Sequence, residues 1–143
     1  MSSSFEDLQV KYYEFIQYNI NPNNTNKATV NIHLKNFTIE KFKNTEDEMI
    51  QFVTYLGDSF KENNKKYNNL GTVVLHLKNI SRKNFNLRYF SKVYKVIDKI
   101  FYKEDIVDKI ICFCNSPLPV ILFKMVKTIM DPMTVKKFVF YKV

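Results

Sequence analysis

The spacing of apolar residues along this 143-residue chain changes several times, and each change predicts a different element. Residues 8–20, LQVKYYEFIQYNI, alternate. Leu8, Val10, Tyr12, Ile16, Tyr18 and Ile20 fall on one face, with Gln9, Lys11, Gln17 and Asn19 on the other. That pattern predicts a strand with one wet side, and a helix through Phe5, Leu8, Tyr12 and Phe15 is the weaker competitor. The turn-forming loop NPNNTNK follows, and ATVNIHLKNF then alternates again with Val30, Ile32 and Leu34 inward. The two segments predict an antiparallel hairpin with a long loop.

From residue 44 the period becomes helical. In NTEDEMIQFVTYLGDSFKEN, Met49, Ile50, Phe52, Val53, Leu56 and Phe60 share one face, and Thr45 with Glu48 has the spacing of a capping box. The Asn-rich residues 63–70 break the pattern. GTVVLHL (71–77) and KIICFCN (109–115) are nearly unbroken apolar runs, the signature of strands covered on both faces. Between them NLRYFSKVYKVIDKIF (86–101) is amphipathic, with Phe90, Val93, Tyr94 and Ile97 facing in and Lys92, Lys95 and Lys99 facing out. KKFVFYKV (136–143) reads as a last strand. The alternation of strands and helices predicts an α/β fold: a mixed, largely parallel sheet of about five strands with right-handed crossover helices. No internal repeat or composition shift divides residues 1–143, so one domain is expected.

The segment 117–130 stands apart. Asn115 or Ser116 can cap it, Pro117 suits its first turn, and Pro132 disfavours helix at Asp131. Only Lys124, Lys127 and Thr128 are polar, and they form one narrow stripe. A helix this apolar is either enclosed on several sides or built to meet a lipid or a partner.

Composition trims the alternatives. Two glycines leave no material for a Gly-rich phosphate loop. The net charge of +8 favours anionic partners, but the lysines are dispersed and Arg82 and Arg88 are the only arginines. That scarcity argues against nucleic acid, because arginine dominates base-edge readout. The first residues, MSSSFEDLQ, lack the basic and apolar regions of a signal peptide. Cys112 and Cys114, two apart in a strand, read as reduced core thiols of a cytoplasmic protein. His76 lies in an apolar run and reads as a hydrogen-bonded core residue, whereas His33 falls on a polar face. No nucleophile–base or metal-ligand arrangement has supporting context, so no catalytic or metal site and no enzyme activity are expected.

Three blocks in order carry a resemblance: GTVVLHLKNIS (71–81), FYKEDIVDKIICFCNSP (101–117) and MDPMTVKKF (130–138). They resemble the lipid-binding domain of the Sec14-like, or CRAL-TRIO, family, with Tyr102, Glu104, Asn115, Pro117, Asp131, Pro132, Thr134 and Lys137 at matching places. His76 stands where the family pattern has Asp, and Asn79 where it has Gly. The resemblance implies a domain shorter than the family's usual form, without its N-terminal helical region and C-terminal extension. It also implies a non-enzymatic lipid-binding or lipid-transfer protein, with 117–130 as an apolar gate helix over a cavity. Leu75, Leu77, Ile111, Phe113, Leu122, Phe123, Val126, Ile129, Phe138 and Phe140 are then expected to hold a phospholipid or other hydrophobic ligand, and Lys137 its headgroup. No further cofactor is implied. The basic surface would place the protein peripherally on an anionic membrane. The alternative is a lipid-free interaction module with a collapsed pocket, pairing with itself or with a protein partner.

Overall fold

The computed structural model describes residues 3–23 and 25–143, with the backbone alone at residue 103. Asn24 of the expected turn loop and the first two residues of the segment read for a signal peptide lie outside the described residues. The elements run α1 (Phe5–Lys11), β1 (Ile16–Asn21), β2 (Lys27–His33), α2 (Ile39–Phe42), α3 (Glu46–Tyr67), β3 (Gly71–His76), α4 (Leu87–Lys103), β4 (Val107–Cys114), α5 (Leu118–Val126), α6 (Pro132–Val135) and β5 (Phe138–Lys142). The strands form one five-stranded sheet in the order β1-β2-β3-β4-β5. Only β1–β2 is antiparallel, and the three later pairings are parallel. The mixed, largely parallel sheet expected from the alternation of periods is the sheet observed.

Because each crossover steps to the next position in the same direction, crossovers of one hand lay their helices on one face. There, Ile16, Val30, Ile110 and Cys112 of the sheet are buried with Met49, Phe52, Leu56 and Phe60 of α3 and Tyr89 and Val93 of α4. The layers approach closely at Gly71. A Cβ there would sit 2.8 Å from the Phe60 ring and 3.1 Å from the Ala28 carbonyl oxygen, so β3 needs glycine where it passes beneath α3. One residue on, the pairing of β3 with β4 slips, with Gly71 opposite Val107 and Thr72 opposite Lys109. The intervening Asp108 accepts hydrogen bonds from the Thr72 hydroxyl (3.1 Å) and the Lys27 ammonium.

Several elements differ from the sequence reading. Residues 5–11 form a helix and not the start of a strand, and Val10, expected inward, is 79% exposed. Ser4 caps this helix by accepting from the Asp7 amide at 3.1 Å. The Thr45–Glu48 capping box does not form, because the Thr45 hydroxyl donates to the Phe42 carbonyl (2.6 Å) and meets the Tyr89 hydroxyl (2.8 Å). α3 also runs on through the asparagines to Tyr67. Asn63 and Asn64 donate from their side chains to the carbonyls of Asn26 and Ile106, which occupies them in tertiary bonds. The helix ends at Asn68 in the left-handed conformation, φ 52°.

The largest difference concerns the second face of the sheet. Among the described residues no helix covers it, and Val74, Ile111, Phe113 and Val139 are only half-buried. His33, His76, Phe113 and Tyr141 are successive cross-strand partners there. Their rings form a ladder, with the two imidazoles parallel at 4.3 Å, His76 to Phe113 at 6.1 Å and Phe113 to Tyr141 at 5.9 Å. His76 Nε2 shares a 2.8 Å hydrogen bond with Asn31 Oδ1. Burial, and then the neighbouring His33, hold His76 below the ordinary histidine range. The unfolded chain therefore takes up this proton first as pH falls. Stability should be complete above the ordinary value of about 6.5 and should drop as pH falls through it. Urea midpoints at pH 7.5 and pH 5 should show a smaller acid loss for His76→Gln than for the unsubstituted protein; equal losses would assign the acid sensitivity elsewhere.

Candidate lipid-binding cavity

Between the helix-bearing face and the helices lies an internal space in two lobes, of about 240 Å³ and about 200 Å³. Their walls share Ile16, Ile32, Leu75, Ile97 and Phe138, so the two lobes adjoin. The first lobe is closed by α5 through Pro119, Leu122, Phe123 and Val126. The second extends beneath α4 towards Ile100, Phe101 and Thr134. Among the described residues no charged side chain lines either lobe. Cys112, on the floor of the first, has its thiol pushed up to about 12, chiefly by burial, so it stays neutral and packs as a small apolar group.

α5 is attached by fewer buried contacts than α3 and α4. Val126 and Met130 pack with Tyr94 in a small cluster of their own, while Leu118 and Leu122 pack on the main core. The Tyr94 hydroxyl accepts from the Asp131 amide at 3.1 Å, which fastens the end of this segment to α4. Asp131 in turn caps α6 through a 3.1 Å bond from the Met133 amide. The helical stretch expected over 117–130 is therefore shorter. It stops at Val126, turns through 127–130, and a second short helix starts at Pro132. Asn115 does not cap it. Its side chain joins Asn79, donating at 2.8 Å to Oδ1 and accepting at 3.0 Å from the amide. Asn79 sits at φ 59°, the left-handed region, where the family pattern places glycine.

The outer side of this segment is apolar and open to solvent. Ile121, Met125, Ile129 and Met133 are 52%, 45%, 48% and 62% exposed. Lys124, Lys127 and Lys136, exposed as well, lie among them in sequence.

With this geometry in view, the comparison with known families is decisive. The model of the CRAL/TRIO domain matches residues 13–143. The chain belongs to the CRAL/TRIO domain family. These are lipid-binding and lipid-transfer domains. Among solved structures, the crystal structure of Sfh5 shares the fold, with a TM-score of 0.68 at 17% identity over 92% of this chain. The match spans 50% of the Sfh5 chain. No curated protein matches the sequence significantly.

Seven of the residues expected at the site do line the cavity: Leu75, Leu77, Leu122, Phe123, Val126, Phe138 and Phe140. Ile111 and Phe113 do not. Strand geometry turns them to the open face, while their neighbours Ile110 and Cys112 face the lobes. Ile129 is exposed beyond the end of α5. Lys137 is outside the lining as well. Its ammonium is held by Asp105 and the Val107 carbonyl and lies 5.7 Å from the Phe101 ring centre, with the side chain 17% exposed. The sequence reading did not assign the helical wall, Met49 and Val53 of α3 and Phe90, Val93 and Ile97 of α4. The signal was present, because these residues were already read as the inward faces of their helices.

Proposed function

We propose that this CRAL/TRIO domain binds one hydrophobic ligand between the sheet and α4–α5, exchanges it by displacement of α5, and docks on anionic membranes through that helix's outer side. The open, predominantly apolar cavity carries the reading. Each methylene moved into it from water contributes about 0.8 kcal/mol. The outer end of α5 packs through Val126 in a small cluster with Tyr94 and Met130, which supports a part that can move without unfolding the rest. Its exposed row of Ile121, Met125, Ile129 and Met133, with lysines interspersed, suits an interface of headgroups and acyl chains. No helix among the described residues is long and apolar enough to cross a membrane. The unfilled space weighs against a collapsed-pocket interaction module, which needs a filled core.

The test is native mass spectrometry of the purified protein, with solvent extraction and lipid analysis. One retained lipid per chain is expected. Protein that is lipid-free and takes no lipid from liposomes would overturn the proposal.

A further inference from the structure

Sulfur is unevenly placed in this molecule. Among the described residues, Met49, Met130, Cys112 and Cys114 are buried, none more than 7% exposed. Met125 and Met133 lie open to solvent, and both belong to the outer row that they form with Ile121 and Ile129. Met125 follows Ile121 by four residues on α5, turned away from the wall residues Leu122 and Val126. Met133 stands in the first turn of α6, beside the buried Thr134. The thiols, ordinarily the first target of an oxidant, are withdrawn from reaction. Both are enclosed, and burial keeps the Cys112 thiol protonated, whereas the thiolate is the reactive form. The accessible sulfur of the described chain is therefore confined to the surface assigned above to membrane docking.

A thioether is apolar and flexible, and its sulfoxide is polar. At an ordinary surface position that change matters little. In a row that has to enter the boundary of headgroups and acyl chains, it replaces the apolar contact on which docking depends. We infer that Met125 and Met133 are peroxide-oxidation sites and that sulfoxide at these positions releases the domain from the membrane, an inference that rests on the docking proposed above. The thioether sulfur attacks one peroxide oxygen and the O–O bond breaks. The proton of the transferred hydroxyl passes to the departing hydroxide, which leaves as water. The sulfur gains one oxygen and loses two electrons, and the peroxide takes up those two electrons. Methionine sulfoxide reductases, one for each epimer, reverse the change. Lys124, Lys127 and Lys136 keep their charge, so the oxidised protein retains a weak, salt-sensitive attraction to anionic lipid.

The test compares untreated and hydrogen-peroxide-treated protein on vesicles of phosphatidylcholine and phosphatidylserine in equal parts, with peptide mass spectrometry to place the oxygens. One oxygen should appear on Met125 and one on Met133 before any on Met49 or Met130. Vesicle affinity should fall by about tenfold for each of the two, the factor that burying a side chain of this size contributes, with an unchanged urea midpoint. Treatment with both reductases should restore it. The affinity of a Met125→Leu, Met133→Leu protein should be the same before and after peroxide. Doubly oxidised protein that binds vesicles as tightly as untreated protein would overturn this inference and leave docking standing. So would an equal peroxide loss in the double Leu protein, or oxygen placed first on Met49 or Met130. Untreated protein that ignores these vesicles would remove the docking reading and this inference with it.

Discussion

Ile97→Trp should abolish lipid retention and leave the fold in place. Ile97 lines both lobes, so an indole at this position closes the passage between them. Adding bulk to a filled core forces strain of about 1–3 kcal/mol. Here the ring enters space that no protein atom occupies, and much of that penalty is avoided. A chain confined to one lobe leaves part of its length in water, at about 0.8 kcal/mol for each methylene, which lowers affinity by roughly tenfold for every two. The unfolding midpoint, compared with lipid stoichiometry by native mass spectrometry, separates the two effects. A Trp variant that keeps its lipid would show that the ligand lies elsewhere.

Phe52→Ala should do the opposite, with a large loss of stability and no change in the lining of the cavity. Phe52 is fully buried on α3, with the Tyr12 ring stacked at 5.9 Å and the Phe5 ring at 6.1 Å. It joins α1 to the helix layer and lines neither lobe. Truncating such a side chain costs about 3–5 kcal/mol, from lost transfer energy and the cavity left behind. Set against a total of about 5–15 kcal/mol for a domain, this is the most damaging single truncation expected in the core. Urea unfolding should show a lower midpoint at an unchanged slope. A loss below about 1 kcal/mol would mean that α1 repacks freely onto α3.

The contrast between these positions also explains what the sequence could reveal. α3 and α4 were legible because their apolar residues repeat at a period that only one kind of element satisfies, and the mixed, largely parallel sheet followed from the alternation of strands and helices. α1 was not. Leu8, Tyr12 and Ile16 are four apart, and a spacing of four keeps residues together on a helix face and on a strand face alike. The deciding signal was Ser4 before Phe5 with acids at Glu6 and Asp7, a helix start that the alternation of Val10 and Tyr12 obscured. The unbroken runs of β3 and β4 raised a different ambiguity. An uninterrupted apolar strand does not say which of its residues point to the helices, so Ile111 and Phe113 were placed in the cavity when Ile110 and Cys112 face it. Nor does it say that both faces are covered. β-branched and aromatic residues favour strands and pair across them, and on the open face Phe113 and Tyr141 join His76 and His33 in a ladder that no helix among the described residues covers. The fate of Lys137 was invisible for another reason: its partner Asp105 is 32 residues away in the chain.

The strand order has a consequence for how the molecule comes into being. Each strand pairs with the one made just before it, so the sheet can grow from one edge as the nascent chain emerges, without leaving a gap for a later strand to fill. The hairpin, α3, β3, α4 and β4 can settle in the order of synthesis. The walls that turn an apolar groove into a container, α5 and the Phe138–Phe140 pair of β5, come after all of these. Until they arrive, the lining side chains of α4 and β4 lie open. A hydrophobic molecule met at that stage could be enclosed by the closing segment instead of having to displace it, and the first occupant would then be acquired during biogenesis.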